Sequence, residues 1–157
     1  MSELRVMELF SGIGAFTKGL TNLGVNYDLV GFSEIDRTAI NSYCAIHNVS
    51  EHLNLGDISK INTESLPDTD LMTYSFPCQS ISKAGKLGGY AEGSGTESSL
   101  LWEAMKVASV KNPKFLLAEN VPNLLSKKFR GDFNKWIQLL YQLGYNTYFT
   151  RLSLIHI

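Results

Sequence analysis

The chain has 157 residues, of which 44% are hydrophobic, and this length and composition are typical of a soluble globular protein with a buried core. Its formal net charge of −1 excludes the basic excess of a free-standing DNA-binding domain. Two cysteines, Cys44 and Cys78, exclude a disulfide framework, and no cysteine spacing indicates a metal site. The N-terminal segment MSELRVMELF contains no apolar signal sequence, and no run has the length of a membrane span, so we expect a cytoplasmic protein without a membrane partner.

The sequence of the first half of the chain predicts three strands and two helices. Apolar runs predict strands at residues 6–10, 27–32 and, more briefly, 53–58. Helical spacing of apolar residues follows the first two strands, and Gly24 ends the first helix. The predicted apolar faces consist of Phe16, Leu20 and Leu23 in the first helix and of Ile40, Tyr43, Cys44 and His47 in the second.

The second half continues the alternation of strand and helix. Strands are predicted at residues 71–76 and 114–118, and a strand-like segment at 145–157. Residues 80–99 contain five glycines and predict a long mobile loop, after which Ser99 is expected to cap a helix. A last helix contains Phe133, Ile137, Leu140 and Leu143 and ends at Gly144. This alternation predicts an α/β fold with a doubly wound, mostly parallel sheet.

Polar or glycine-rich segments follow all five predicted strands. In chain order they read FSGIG, SEID, GDIS, FPCQ and AENV. Ligands of such folds bind at the carboxyl ends of the strands, so these segments are expected to share one rim of the sheet.

The first two segments favour a nucleoside ligand. Gly12 and Gly14 allow backbone amides at a helix start to approach a ligand, and Glu34 at the end of the second strand suits the two ribose hydroxyls. Thr17 stands where the dinucleotide fingerprint G-x-G-x-x-G requires glycine. A nicotinamide dinucleotide therefore fits less well than a nucleoside that has no diphosphate.

Taken together, FSGIG, the acid after the second strand, FPCQ and AENV resemble the DNA (cytosine-5)-methyltransferase family. The resemblance spans about residues 6–144 and implies a Rossmann-like, S-adenosylmethionine-dependent methyltransferase fold. We expect one partial catalytic domain over residues 1–157, with a cofactor-binding half at about 1–75 and the nucleophile loop and acid strand at about 76–157. The cofactor-binding residues that the resemblance implies are Phe10, Ser11, Gly12, Ile13, Gly14, Glu34, Ile35, Asp57, Ile58, Pro77 and Leu100.

The resemblance also implies a reaction on a cytosine that is flipped out of double-stranded DNA. Cys78 would add to C6 of the base as a thiolate, and Glu119, beside Asn120, would donate a proton to N3. Donation favours a carboxyl group that is partly buried. The long loop after Gln79 would close over the base, and the substrate-binding residues implied are Gln79, Ser80, Lys83 and Val121.

The chain is shorter than the family pattern. Family members continue beyond the sixth strand with a segment that supplies an active-site arginine, a target-recognition domain and a final segment that packs on the cofactor pocket. We therefore expect an open sheet edge that a completing chain or a second copy would cover. Two alternatives stay open at this stage: a catalytically inactive module for S-adenosylmethionine binding or assembly, and a relative that modifies tRNA.

Overall fold

The computed structural model describes residues 3–81 and 88–152, and a four-stranded parallel sheet lies at its centre. Its strands are β1 (Leu4–Leu9), β2 (Tyr27–Ser33), β3 (Leu71–Tyr74) and β4 (Phe115–Ala118), in the order β2-β1-β3-β4. The chain thus winds outward from β1 in both directions, and the switch point lies between β1 and β3. The predicted doubly wound α/β fold is confirmed.

In the described ranges three helices connect these strands and a fourth follows β4, and together they cover both faces of the sheet. They are α1 (Ala15–Asn22), α2 (Arg37–His47), α3 (Leu101–Lys111) and α4 (Arg130–Gln142). Neighbouring residues of β1 point to opposite faces: Val6 packs in the cluster that contains α2, and Met7 packs in the cluster that contains α3 and α4. Within the described ranges no helix is long and apolar enough to cross a membrane.

The predicted strand at residues 53–58 is wrong. This stretch makes a single bridge, between Asn54 and Phe32, and short 3-10 helices lie on either side at Glu51–Leu53 and Ile58–Lys60. Gly56 has a φ of 72°, which turns the backbone away from the sheet edge. The apolar residues Leu53, Leu55 and Ile58 predicted a strand, but the backbone turns after one pairing with β2.

Two other local predictions are also wrong. Ser99 does not cap α3; it lies within a 3-10 helix (Glu97–Leu100) that leads directly into α3, and its hydroxyl donates to the Thr96 carbonyl at 2.6 Å. Residues 145–152 of the predicted segment form no strand, and residues 153–157 lie outside the described ranges. The Tyr145 hydroxyl instead donates to the Pro113 carbonyl at 2.6 Å, which ties the segment after α4 to the loop that precedes β4.

The loop predicted at residues 80–99 is anchored in its described part. Tyr90 is fully buried, and its carbonyl accepts a hydrogen bond of 2.8 Å from the indole of Trp102. The Tyr90 ring contacts those of Phe76 and Phe129. A large aromatic residue buried in this way fixes the returning half of the loop against α3 and α4, so this half does not match the expectation of mobility.

An ion-pair cluster ties the strands together at the opposite end of the sheet. The Asp70 carboxylate accepts from the backbone and guanidinium of Arg5 at 3.1 and 2.9 Å, and Lys114 lies 3.1 Å away. The hydrogen bonds from Arg5, and to a smaller extent Lys114, hold the pKa of Asp70 well below its usual range. Asp70 thus joins the entry points of β1, β3 and β4.

Replacing Asp70 with asparagine is expected to lower the unfolding temperature near neutral pH and to matter less in acid. The folded pKa lies below the ordinary value of 3.8, so the carboxylate stabilises the fold above that value and loses this effect as the pH falls further. Thermal unfolding at pH about 7 and about 3 measures the difference. Asp68→Asn is the matched control, because that carboxylate also pairs with Arg5, at 3.3 Å, but is 80% exposed. An equal loss of stability at both pH values would contradict this assignment.

Candidate active site

The loop between β1 and α1 is held in an unusual backbone conformation. Phe10, Gly12 and Gly14 have positive φ values of 55°, 54° and 87°. A positive φ is uncommon for a bulky residue such as Phe10, and strain of this kind tends to occur at functional sites. The Ser11 amide donates to the Ser33 carbonyl at 3.0 Å, which fixes the loop to the end of β2.

A buried carboxylate in β1 holds the start of α1, directly after this loop. Glu8 of β1 is 1% exposed and accepts hydrogen bonds from the Thr17 hydroxyl, from the Tyr43 hydroxyl at 3.0 Å and from the Phe16 amide at 3.3 Å. Gly14, which precedes α1, has no side chain to cap the helix, so Glu8 accepts from one of the free amides at its start. Burial and the Glu8 charge raise the pKa of Tyr43, which keeps its hydroxyl protonated as a donor.

Glu34 joins the first two rim segments. One of its carboxylate oxygens, Oε2, accepts from the Gly12 amide at 2.9 Å. The other, Oε1, accepts from the amides of Ile35 and Asp36 at 2.7 and 2.8 Å. Each carboxylate oxygen has two lone pairs, so Oε2 retains one acceptor position for a ligand hydroxyl.

Asn54 joins the second rim segment to the third. Its side-chain oxygen accepts from the amides of Glu34 and Gly56 at 3.2 and 3.1 Å, and its amide group donates to the Glu34 carbonyl at 3.1 Å. Asp57 follows and caps a 3-10 helix through the Ser59 amide at 3.0 Å. The hydrogen bonds from Ser59 lower the pKa of Asp57, so this carboxyl group is an anion at neutral pH.

These three segments have features that fit a nucleoside ligand. Among the described residues, the buried Ser11 hydroxyl has no hydrogen-bond partner, and a Cβ added at Gly12 would meet no atom within 4 Å. Ile13 and Ile35 are 57% and 74% exposed on segments that the Gly12–Glu34 hydrogen bond joins. An apolar ring would remove these side chains from water, and the Glu34 carboxylate offers an acceptor to a hydroxyl group.

The nucleophile loop begins where β3 ends. Phe76 is buried against Trp136, with ring centroids 5.8 Å apart, and this contact anchors the backbone before Cys78. Cys78 is a free, half-buried thiol, and no hydrogen bond to its sulfur is present in residues 3–81 and 88–152. Its carbonyl accepts from the Ile81 amide at 3.0 Å, so the chain turns directly after it.

The acid segment after β4 is tied to this loop by several hydrogen bonds. The Glu119 amide donates to the Tyr74 carbonyl at 3.3 Å, and the Glu119 Oε2 atom accepts from the Ser75 hydroxyl at 2.8 Å. The Asn120 side chain donates to the Phe76 carbonyl at 2.9 Å. The candidate nucleophile and acid therefore lie on segments that hydrogen-bond directly to each other.

Glu119 is exposed, so it lacks the partial burial that favours proton donation. β4 lies at the edge of the sheet, and no described strand pairs with its outer side. An edge strand exposes the side chains that a further neighbour would cover, and Glu119 comes directly after that strand.

Comparison with known proteins establishes the family. A family model described as "C-5 cytosine-specific DNA methylase" matches residues 4–154. The chain belongs to this family. That membership agrees with the parallel sheet and with the five hydrogen-bonded segments at its rim, which begin at residues 10, 33, 56, 76 and 118.

The similar proteins are methyltransferases of bacteria, of phages and of a yeast. The chain is 47% identical over 145 residues to an orphan methyltransferase, M.SPRI, of Bacillus phage SPR, covering 92% of this chain and 32% of the phage protein. It is 35% identical to the type II methyltransferase M2.ScrFI of Lactococcus lactis subsp. cremoris, covering 96% of this chain and 56% of that protein. The crystal structure of the S. pombe Dnmt2 methyltransferase superposes with a TM-score of 0.68 at 26% identity, covering 92% of this chain and 41% of that one. The chain thus spans about a third to a little over half the length of these relatives.

The other predicted site residues differ in exposure. Gln79 is exposed, whereas the remainder that the structure describes are half-buried or buried. Ile58 is 6% exposed and belongs to the apolar core, so its side chain offers little surface to a ligand. Lys83 lies outside the described residues. The half-buried residues are Pro77, Ser80, Leu100 and Val121.

Sequence reasoning about this family member missed Glu8, Asn54 and Ser75. Glu8 had a detectable signal, because a lone carboxylate in the apolar run at residues 4–9 requires hydrogen-bond donors. Asn54 lay within a stretch interpreted as a strand, which concealed its linking role. Ser75 carried no signal in isolation, since its partner Glu119 is 44 residues away in the chain.

Proposed function

We propose that this chain is the cofactor-and-nucleophile portion of a DNA (cytosine-5)-methyltransferase, which transfers a methyl group from S-adenosylmethionine to C5 of a flipped-out cytosine through a covalent Cys78 adduct. The observation that supports it best is the direct hydrogen bonding between the segment of Cys78 and the segment of Glu119. Both segments lie at the carboxyl ends of the strands, on the same rim of the sheet as the Gly12–Glu34 pair. A thiol, a carboxyl group and a nucleoside site are the three elements that this reaction requires.

The cofactor site consists of the first three rim segments. Glu34 would accept from the ribose hydroxyls, while Ile13 and Ile35 would contact the adenine ring and Asp57 its amino group. The half-buried Pro77 and Leu100 complete the set that the family resemblance implies. When bound, S-adenosylmethionine supplies an electrophilic methyl group, whose bonding electron pair returns to sulfur as C5 of the cytosine takes the methyl group.

The reaction begins at the base. The Cys78 thiolate forms a bond to C6, the C5=C6 electron pair shifts toward C4, and the C4=N3 pair moves onto N3. Glu119 gives its proton to N3, which leaves a neutral, enamine-like ring whose C5 is nucleophilic. Asn120 holds the Phe76 carbonyl and thereby fixes the nucleophile loop relative to Glu119.

The adduct then breaks down and regenerates both residues. After C5 has gained its methyl group, a base removes the C5 proton and that electron pair re-forms C5=C6. The C6–S pair returns to Cys78 as a thiolate, and N3 returns its proton to Glu119. Cys78 and Glu119 thus end the cycle as they began it, as expected of a covalent catalyst and a general acid.

The substrate in this proposal is double-stranded DNA. The target base must leave the stack to reach Cys78, and Gln79, Ser80, Val121 and Lys83 are the proposed contacts to it. A net charge of −1 provides little general attraction to phosphate. Most phosphate contacts therefore come from polypeptide outside this chain.

We further propose that an additional polypeptide segment covers the open edge at β4. Phe115 and Leu117 are 60% and 47% exposed on this strand, whose outer backbone has no partner strand in the described ranges. An exposed, apolar edge strand favours pairing with another strand. A segment of a longer protein, a separate chain or a second copy would satisfy this edge.

Methyl transfer to DNA tests the proposed function. Duplex DNA is incubated with the chain and methyl-labelled S-adenosylmethionine, and the digested nucleosides are analysed by mass spectrometry. We expect 5-methylcytosine as the labelled product, with a specific activity that rises with chain concentration if a second copy covers β4. Binding of the cofactor without any product would instead favour the inactive module, and labelling of tRNA alone would favour an RNA substrate.

Replacing Glu34 with alanine is expected to weaken the binding of S-adenosylmethionine by about 1.5 to 3 kcal/mol, the usual range for hydrogen bonds to a charged group. The change removes the acceptor of the ribose hydroxyls and also releases the Gly12 amide. Calorimetric titration of both proteins measures it, with Glu64→Ala as an exposed control far along the chain. An unchanged affinity in the Glu34 variant would place the ribose elsewhere.

A further inference from the structure

Ser75 lies directly opposite Glu119 across the two strands that reach the candidate site. β3 and β4 pair in parallel with Tyr74 opposite Ala118. The next residue after each of these is Ser75 and Glu119, so their side chains lie opposite each other on the same face of the sheet. The Glu119 amide still donates to the Tyr74 carbonyl, which shows that the pairing extends to this point. The contact between Ser75 and Glu119 is therefore built into the register of the sheet.

The hydroxyl of Ser75 provides the only hydrogen bond that the Glu119 carboxyl group receives from residues 3–81 and 88–152. It donates to Oε2 at 2.8 Å, while Oε1 accepts from none of these residues. Glu119 is exposed at the sheet edge, where packing does not select one orientation of a long, flexible side chain. Within the described structure, one hydrogen bond thus determines which way this carboxyl group faces.

We propose that Ser75 is a positioning residue that orients Glu119 for proton donation. By donating to Oε2, the hydroxyl makes this oxygen the carbonyl-type acceptor and leaves Oε1 as the oxygen that carries the proton. Oε1 is then the atom that gives its proton to N3 of the cytosine. The inference rests on the proposed function of Glu119 and adds the residue that fixes its geometry.

The consequence for catalysis lies in the rate of the chemical step and not in binding. Ser75 contacts the acid and is not among the residues proposed to contact the cofactor or the base. An acid that samples several orientations spends less time in the productive one, which lowers kcat and leaves KM largely unchanged. If a substitution only unfolded part of the protein, the active fraction would fall. The rotamer distribution of Glu119 in the molecules that remain folded would not change.

The test compares Ser75→Ala and Ser75→Thr with wild type and with Ser109→Ala. Ser109 is an exposed residue of α3 whose hydroxyl donates to the Lys106 carbonyl, so this control removes a serine hydroxyl far from the rim. Three-bond NMR couplings report whether the Glu119 side chain occupies one rotamer or several. Methyl transfer to DNA gives kcat and KM for the same proteins.

We expect one Glu119 rotamer in wild type, Ser75→Thr and Ser109→Ala, and averaging in Ser75→Ala. The kcat of Ser75→Ala should fall about ten-fold, with KM unchanged and with recovery in Ser75→Thr. An averaged rotamer in wild type, or a single one in Ser75→Ala, would overturn the inference. The couplings do not depend on turnover: an oriented Glu119 in a wild-type protein that methylates nothing would count against the proposed function, and not against orientation by Ser75.

Discussion

Replacing Cys78 with serine is expected to abolish the covalent complex between this protein and a duplex that contains 5-fluorocytosine at its target. Fluorine at C5 replaces the proton whose loss releases the enzyme, so a wild-type adduct persists after methyl transfer. The serine hydroxyl stays protonated at neutral pH, whereas a cysteine thiol, with an ordinary pKa of about 8.5, supplies thiolate. A denaturing gel with labelled DNA shows the adduct as a band of reduced mobility.

The other cysteine provides the matched control for this experiment. Cys44 is a half-buried residue of α2 that packs beside Tyr43 and its neighbours, away from the nucleophile loop. Cys44→Ser should therefore retain the adduct. Formation of an adduct by the Cys78 variant, or its loss in the Cys44 variant alone, would remove Cys78 from the mechanism.

Replacing Gly14 with alanine is expected to destabilise the fold by about 2 to 4 kcal/mol, because strain and overpacking combine at this position. Gly14 has a φ of 87°, and an added Cβ would lie 2.1 Å from Nε2 of His47 and 2.7 Å from the ring of Tyr43. His47 would also lose its position beside the Ile13 carbonyl, which it contacts at 3.0 Å. Denaturant unfolding of the two proteins measures the change.

Gly12→Ala separates the two contributions. Gly12 has a positive φ of 54°, but no atom in the described part of the chain lies within 4 Å of an added Cβ. This variant should show only the cost of a left-handed residue, about 1 kcal/mol. Equal destabilisation by the two substitutions would mean that overlap with Tyr43 and His47 adds nothing to the loss of stability in Gly14→Ala. That result would contradict the close packing of α2 against the loop between β1 and α1.

The sequence predicted the sheet and its helices because their apolar patterns were long and regular. The four strands and the apolar face of α2 agree with the structure. The predictions that were wrong concern short segments. Residues 53–58 have a strand-like pattern of apolar residues, yet Gly56 turns the backbone after a single bridge. The local sequence pattern does not specify this turn.

The candidate site was predictable as a set of segments but not as a set of contacts. The strand ends identified the positions of Glu34, Cys78 and Glu119, since parallel strands deliver their carboxyl ends to one edge. The exposure of Glu119 depends on what lies beside β4, which the local sequence does not specify. The supporting contacts of Glu8 and Ser75 depend on register between distant segments and became visible only in three dimensions.

Calorimetric titration of S-adenosylmethionine into the purified chain tests the central claim most directly, because every step proposed for Cys78 and Glu119 requires that pocket. We predict saturable binding at one site, weakened in Glu34→Ala and retained in Cys78→Ser. The absence of binding up to about millimolar cofactor, the weak end of specific affinity, would contradict a cofactor site at the Gly12–Glu34 rim.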